Sequence, residues 1–403
     1  MQNDGKKQQE QTFKRRVLIA TGASGGHVYP ALATAAELSK QNIECVFTGA
    51  GWKVGEIIRR HGYKFEPLPQ APMNVSNPIK KAFALFQLGR SYLRIRGFLS
   101  WLQPSCVIGT GGYSTVALLL AAKHKGVPSV IHEQNVLPGR ANRMAAQWAD
   151  KIAISFEESR KYFKDFPKKL EYTGNPIRPD VWTVAEKERP LSLDKFRILV
   201  IGGSQGARIL SDVVPEAMDK LEKDEQRHIH MTQQARPEDV NRVIRAYKSM
   251  DWMNTEYEVS AFFDNLPERM HQADLIISRA GAGTLFECAA LGRAGIFIPL
   301  ELADGHQRQN AQVFANAKAA VVLEQKEFTA EAVLKHVRQL MHNRDMLRDM
   351  ERRIKMLARP HAAADVARLV AVYVNRLAPE KTINDNAANN NQNSGTNVDT
   401  GIQ

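Results

Sequence analysis

The sequence predicts an α/β protein built as two doubly wound, Rossmann-like domains facing a cleft. Short β-branched runs alternate with amphipathic helical stretches, the rhythm of repeated βαβ units. A proline-rich passage interrupts that rhythm near the middle, and it then restarts. Each half opens in the same way, with a strand, a glycine loop and a helix.

At 403 residues the chain is too long for one ordinary core and suits two domains. Its first 13 residues read as a polar arm. Runs at 16–21, 43–48, 105–110, 128–133 and 150–155 read as buried parallel strands of a domain over 14–172. The passage 166–193 carries Pro167, Pro176, Pro179 and Pro190 and marks the boundary to a second domain over 173–358. Its strands are expected at 196–201, 227–231, 257–260, 273–278 and 294–300. A last amphipathic helix follows Pro360 within 359–377, and the Asn-rich tail 378–403 has too few apolar residues to offset its ordering entropy.

Composition narrows the class. With 43% hydrophobic and 24% charged residues the chain reads as soluble and globular. A net charge of +12 implies an anionic partner or surface without choosing among nucleic acid, a leaflet and phosphorylated substrates. Cys45, Cys106 and Cys288 lie far apart in apolar stretches, so neither a disulfide framework nor a CxxC metal pair is expected. The N-terminal residues lack an apolar h-region, and no apolar run reaches the length of a membrane span. The expectation is a cytoplasmic protein whose membrane contact, if any, is peripheral.

The chemistry is expected in the loops. Thr21–Gly22–Ala23–Ser24–Gly25–Gly26–His27 follows the first strand, Gly109–Thr110–Gly111–Gly112–Tyr113 a later one, and Gly202–Gly203–Ser204–Gln205–Gly206 opens the second half. Such loops let backbone N–H groups approach a phosphate at a helix N-terminus. Each alone fits tight strand–helix packing equally well. Neither a G-x-G-x-x-G fingerprint nor a Walker A motif is present, and Glu44 opens the second strand where a ribose-binding acid should end it. A nicotinamide-dependent dehydrogenase is disfavoured on that ground. His27 stands at a helix start beside the first loop, where an imidazole can serve as general base.

Further along, His132, Glu133, Gln134 and Asn135 end a strand together and suit binding of hydroxyls or amides, or capping of a helix. Arg279–Ala280–Gly281–Ala282–Gly283–Thr284 enters a helix carrying Glu287, and Asp304, His306, Gln307 and Asn310 follow the next strand as candidate readers of sugar hydroxyls. No metal-ligand spacing and no Asp-x-Asp pair appears. Between Glu66 and Glu133 no acidic residue occurs, while Lys80, Lys81, Arg90, Arg94, Arg96, Lys123 and Lys125 do. With Ile79, Phe83, Phe86, Leu93, Phe98, Leu99 and Trp101, the 79–101 region suits an anionic bilayer surface, or the core-facing side of an ordinary helix. Nucleic-acid binding fits the charge alone.

Taken in order, GASGGHVYPALA, GTGGYSTVALLLAA, HEQNVLPGRANR, TGNPIR, GGSQGARIL and SRAGAGTLFE with DGHQRQNA resemble the MurG family over roughly 14–375. These are the UDP-N-acetylglucosamine:undecaprenyl-pyrophosphoryl-MurNAc-pentapeptide transferases of peptidoglycan synthesis. The resemblance implies a GT-B fold, with the lipid I acceptor bound mainly by the N-terminal domain and UDP-GlcNAc by the C-terminal one. It places the acceptor diphosphate at Gly25, Gly26, Gly111, Gly112 and Tyr113. Donor-site positions are Ser24, Gly25, Gly26, Asn135, Arg178, Ser204, Gln205, Phe263, Ala282, Gly283, Thr284, Glu287 and Gln307. Among these, the Phe263 backbone would meet uracil, Glu287 ribose, Gln307 the GlcNAc hydroxyls, and 282–284 the diphosphate.

The implied reaction is a single inverting displacement with no cofactor and no metal. His27 is the candidate base and Glu133 the second choice, and Ser204, Arg178 and the 281–284 turn receive the leaving diphosphate. The implied setting is the cytoplasmic face of the inner membrane, with other cell-wall synthesis proteins as partners. Rival readings are a GT-B enzyme with another acceptor and a non-catalytic scaffold that kept the fold. Thr21, Ala23 and Ser24 depart from a loop that usually carries Gly, Gly and Thr there, Gly283 stands where Ser is common, and Glu301–Leu302 where Pro-His is common.

Overall fold

The computed structural model describes residues 15–49, 51–67, 78–189, 195–203, 206–250, 256–301 and 305–376, without the side chains of 78–89, Tyr113, Ser114 and Glu256. The N-terminal half runs β1 (Arg16–Thr21), α1 (Gly25–Ser39), β2 (Glu44–Gly49), α2 (Trp52–Arg60), β3 (Lys64–Pro67), α3 (Pro78–Leu102), β4 (Cys106–Gly109), α4 (Tyr113–His124), β5 (Ser129–Glu133), α5 (Arg140–Ala145), β6 (Lys151–Ile154) and β7 (Leu170–Tyr172). After α6 (Pro179–Ala185) come β8 (Phe196–Ile201), α7 (Arg208–Asp219), α8 (Lys223–Arg227), β9 (Ile229–Gln234), α9 (Val240–Ser249), β10 (Glu256–Ser260) and α10 (Leu266–Gln272). The remainder is β11 (Leu275–Arg279), α11 (Ala282–Leu291), β12 (Gly295–Ile298), α12 (His306–Asn316), β13 (Ala320–Val322), α13 (Ala330–His342), α14 (Arg344–Met356) and α15 (Ala362–Arg376).

Two sheets result, ordered β3-β2-β1-β4-β5-β6-β7 and β10-β9-β8-β11-β12-β13. Every strand pairing is parallel. The sequence reason is visible in β1. Val17 and Ile19 feed a core with α1 and α15, while Leu18 and Ala20 feed the opposite core with α3 and α4. A strand buried on both faces needs an unbroken apolar run, which is why β1 and β8 read so clearly as strands. In the second sheet, α7, α9 and α13 cover one face and α6, α10, α11 and α12 the other. The predicted pair of doubly wound α/β domains is what the chain forms.

Three strands fall outside the sequence expectations: β3, β7 and β13. All lie at sheet edges, are three or four residues long and carry few buried side chains. An edge strand needs only one partner, so it needs no apolar run. β7 lies within the proline-rich passage at the boundary between the two domains. The destination of the last helix was not legible either. Ala367, Val370, Ala371 and Val374 of α15 pack with α1 and β1, so the chain returns to the first domain. On the way Arg359 stacks over the Tyr172 ring at 4.9 Å and donates to its hydroxyl at 2.9 Å.

The order reverses between β1 and β4 in one sheet and between β8 and β11 in the other. Open parallel sheets bind ligands at the carboxyl ends of strands beside such switch points. The glycine loops sit there. A cavity of about 290 Å³ lined by Lys195, Arg197, His230 and Arg269 lies instead toward the amino ends of β8 and β9, away from those loops.

Candidate active site

His27 enters the first turn of α1, and its imidazole fills the gap between two loops. A methyl group added at Gly22 would meet Nδ1 at 2.5 Å, and one at Gly111 would meet Nε2 at 2.8 Å. Gly111 also has φ +120, where side-chain-bearing residues are strained. The loops after β1 and β4 therefore converge on one ring. Ser24 Oγ lies 3.0 Å from Nδ1, and Thr110 Oγ1 donates to the His27 carbonyl at 3.1 Å. Burial, with a smaller push from His306, lowers the pKa of His27 to about 4, so the imidazole is neutral at physiological pH. The start of α1 at Gly25 and Gly26 carries no side-chain cap and no acidic residue. Gly112 caps α4 with φ +89, and the Tyr113 side chain lies outside the described residues.

The polar cluster ending β5 turns inward. Glu133 is 1% exposed, and its carboxylate accepts four hydrogen bonds. Oε1 takes the Asn135 backbone N–H at 2.9 Å and its Nδ2 at 3.2 Å, and Oε2 takes Gly139 N–H at 3.1 Å and Asn142 Nδ2 at 2.8 Å. Burial raises its pKa while those donors pull it back. Both oxygens are engaged within the turn 134–139, so the carboxylate shapes that turn, and the geometry favours His27 over Glu133, the second choice, as the base. His132 and Gln134 are buried too, and Gln134 Nε2 donates to the Thr110 carbonyl at 2.8 Å, behind the His27 loop.

Asn135 is likewise committed. Its Oδ1 accepts from Asn310 Nδ2 at 2.9 Å, and Asn310 Oδ1 accepts Val136 N–H at 2.9 Å. His306 Nδ1 donates to the Leu137 carbonyl at 2.7 Å, and the Tyr162 hydroxyl to Gln309 Oε1 at 2.7 Å. His306 and Asn310, expected to read sugar hydroxyls, thus face the first domain from the first turns of α12. Asp304 lies outside the described residues.

In the second domain, α11 begins at Ala282 behind Gly281, with no side-chain cap and no acid in its first turn. Its first N–H groups, including those of Ala282, Gly283 and Thr284, have no intrahelical acceptor. A methyl group at Gly281 or Gly283 would meet nothing within 4 Å, so these glycines face open space. One turn on, Glu287 Oε1 accepts from Arg178 Nε at 3.0 Å, and the Arg178 guanidinium lies 5.5 Å from the Tyr29 ring of α1. The pair is 12–21% exposed. Arg178 was expected on the leaving diphosphate and Glu287 on ribose; here they bind each other, with Glu287 Oε2 without a partner among the described residues. Burial raises the Glu287 pKa, and Arg178 opposes this.

Gln307 Oε1 accepts Ala280 N–H at 3.2 Å and Leu300 N–H at 3.0 Å, joining the loops after β11 and β12. Both contacts are donors, so its Nε2 is the end left for a ligand. Phe263 is 7% exposed beneath the Arg269 guanidinium at 4.3 Å, and its neighbour Phe262 is the exposed ring at 68%. Ser204 and Gln205 lie outside the described residues.

The chain matches the models for the glycosyltransferase family 28 N-terminal domain over residues 17–154 and C-terminal domain over 197–366. It is 32% identical over 366 residues, covering 88% of this chain and 98% of the relative, to the UDP-N-acetylglucosamine--N-acetylmuramyl-(pentapeptide) pyrophosphoryl-undecaprenol N-acetylglucosamine transferase of Desulforamulus reducens. The protein of the same name from Methylorubrum extorquens is 39% identical over 324 residues, or 79% of this chain and 87% of that one. The crystal structure of Acinetobacter baumannii MurG superposes with a TM-score of 0.73 at 26% identity over 89% of this chain and 99% of that one. A UDP-GlcNAc 2-epimerase from Neisseria meningitidis shares the fold at a TM-score of 0.64 and 14% identity, over 89% of this chain and all of that one. With this sequence identity across both domains, the chain belongs to glycosyltransferase family 28 and, within it, to the MurG family of N-acetylglucosamine transferases.

Proposed function

We propose that the protein transfers GlcNAc from UDP-GlcNAc to the MurNAc 4-hydroxyl of undecaprenyl-pyrophosphoryl-MurNAc-pentapeptide, lipid I, forming the β-1,4 bond of lipid II with inversion. One observation supports this above the others: a neutral imidazole on the first domain's switch point and an uncapped, glycine-lined helix start on the second. Arg178, paired with Glu287 of α11, lies 5.5 Å from the Tyr29 ring of α1, so the two walls face each other. His27 takes the proton of the 4-hydroxyl as it attacks the anomeric carbon from the face opposite UDP. The N–H groups of 282–284 receive the charge that builds on the departing diphosphate. Glu287 Oε2 is available to a ribose hydroxyl, and Gln307 Nε2 to a GlcNAc hydroxyl.

The protein meets its lipid substrate as a peripheral partner of the inner membrane's cytoplasmic face. On α3, Leu93 is 65% and Trp101 71% exposed, with Arg94 beside them. The side chains of Ile79, Phe83 and Phe86 lie outside the described residues. No helix among the described residues is long and apolar enough to cross a membrane.

The test is transfer of labelled GlcNAc from UDP-GlcNAc to purified lipid I, run beside simple lipids and soluble aglycones. The expected result is one UDP released per lipid II formed, with the other acceptors idle. Preference for another acceptor, or UDP release without lipid II, would overturn the proposal.

A further inference from the structure

The two walls are joined by a short run of hydrogen bonds through α12. On the first domain, the Thr110 hydroxyl donates to the His27 carbonyl, and Gln134 Nε2 donates to the Thr110 carbonyl. The next residue, Asn135, is fixed by Glu133 through both its backbone N–H and its Nδ2. That leaves Asn135 Oδ1 pointing at the second domain, where Asn310 Nδ2 meets it at 2.9 Å. Asn310 is fully buried, and its Oδ1 accepts Val136 N–H at 2.9 Å. Each amide therefore has one consistent orientation: Asn310 must donate from Nδ2 because its oxygen faces an N–H group. One turn earlier on α12, His306 Nδ1 donates to the Leu137 carbonyl at 2.7 Å. Asn135, Val136 and Leu137 are thus gripped in succession by side chains four residues apart, which share one helix face.

The opposite end of the run reaches the donor side. Gln307, in the same first turn of α12, accepts Ala280 N–H, and Ala280 immediately precedes the Gly281 cap of α11. One turn of helix therefore touches the loop behind the acceptor-side imidazole and the entrance to the uncapped helix start. Asn310 is fully buried, and each of its polar atoms already has a partner in the protein.

We infer that Asn310 is a positioning residue, setting through Asn135 and Val136 the register of the His27 wall against the donor wall. This rests on the transferase reading, in which an acceptor hydroxyl on one wall must meet an anomeric carbon on the other. A misplacement of about 1 Å in such a geometry costs turnover about 10²-fold. On the proposed reading UDP is held mainly by the second domain, so its affinity does not depend on that register.

The experiment measures lipid I to lipid II turnover and UDP affinity for the wild type, Asn310→Ala, Asn135→Ala and the double variant, with melting temperatures as a folding control. Asn310→Asp is carried as a second single variant, since it keeps an acceptor for Val136 N–H and sets an anion against Asn135 Oδ1. The expected result is a turnover loss of about 10–100-fold in each single variant, UDP affinity within about threefold of wild type in Asn310→Ala and Asn310→Asp, and a double variant no worse than the worse single one. Unchanged turnover in Asn310→Ala and Asn310→Asp overturns the inference, as does a parallel loss of UDP affinity in those two variants or additive losses in the double variant. A wild type that makes no lipid II instead overturns the transferase reading, and the two failures are thereby distinguished.

Discussion

The two domains repeat one architecture, yet they use glycine for opposite reasons. In the first, Gly22 and Gly111 are small because the His27 ring occupies the space a side chain would need. In the second, Gly281 and Gly283 border empty space at the start of α11. The same strand–loop–helix pattern thus builds a holder for a side chain in one domain and leaves an open helix start in the other. What separates the two is which atoms lie within reach of an added methyl group.

That contrast can be broken at several points. The largest effect is expected for His27→Ala, which removes the proposed base: turnover should fall about 10²–10⁴-fold while UDP affinity stays nearly constant. Steady-state transfer rates and calorimetric titration with UDP decide it, and a lost UDP site would move His27 out of the first domain's chemistry. Glu287→Gln should act in the reverse sense. It weakens the charge-assisted contact with Arg178 and the proposed ribose acceptor, so KM for UDP-GlcNAc should rise about tenfold, equivalent to about 1.4 kcal/mol, with kcat little changed.

A smaller effect is expected in stability. The pKa of His27 and of buried His132 is lowered to about 4, from about 6.5 in the unfolded chain. Between these values the unfolded state binds protons that the folded state refuses. The stability these groups contribute is complete above about pH 6.5 and is lost as pH falls toward about 4. Urea midpoints measured across that window should decline with falling pH, and His27→Asn should flatten the decline. A midpoint slope unaffected by His27→Asn would mean that its imidazole is not held neutral by the fold.

Much of this was legible in the sequence, and the gaps have physical causes. Central strands such as β1 and β8 are buried on both faces and announce themselves as apolar runs; β3, β7 and β13 are edges and do not. The two glycine loops at strand carboxyl ends of the first domain were legible, and the fold brings them together on the His27 ring. The fates of Glu133, Asn135 and Asn310 did not follow, because residue type shows hydrogen-bonding capacity and not which partners fill it. Asn135 and Asn310 are 175 positions apart and fill each other's capacity. Arg178 and Glu287 were each assigned to a ligand, and only the folded chain shows them within 3.0 Å of one another.

The most direct test places the same methyl group in each domain. Turnover and UDP affinity are measured side by side for Gly111→Ala and Gly283→Ala. At Gly111 the methyl meets the His27 ring and an unfavourable φ, so lipid II formation should drop about 100-fold or more with UDP still bound. At Gly283 it meets no atom of the protein, and Ser is common at this position in the family the chain resembles, so the 282–284 N–H groups stay in place and both quantities should stay within about threefold of wild type. A Gly283→Ala enzyme that loses turnover while Gly111→Ala keeps it would contradict the assignment of the two loops.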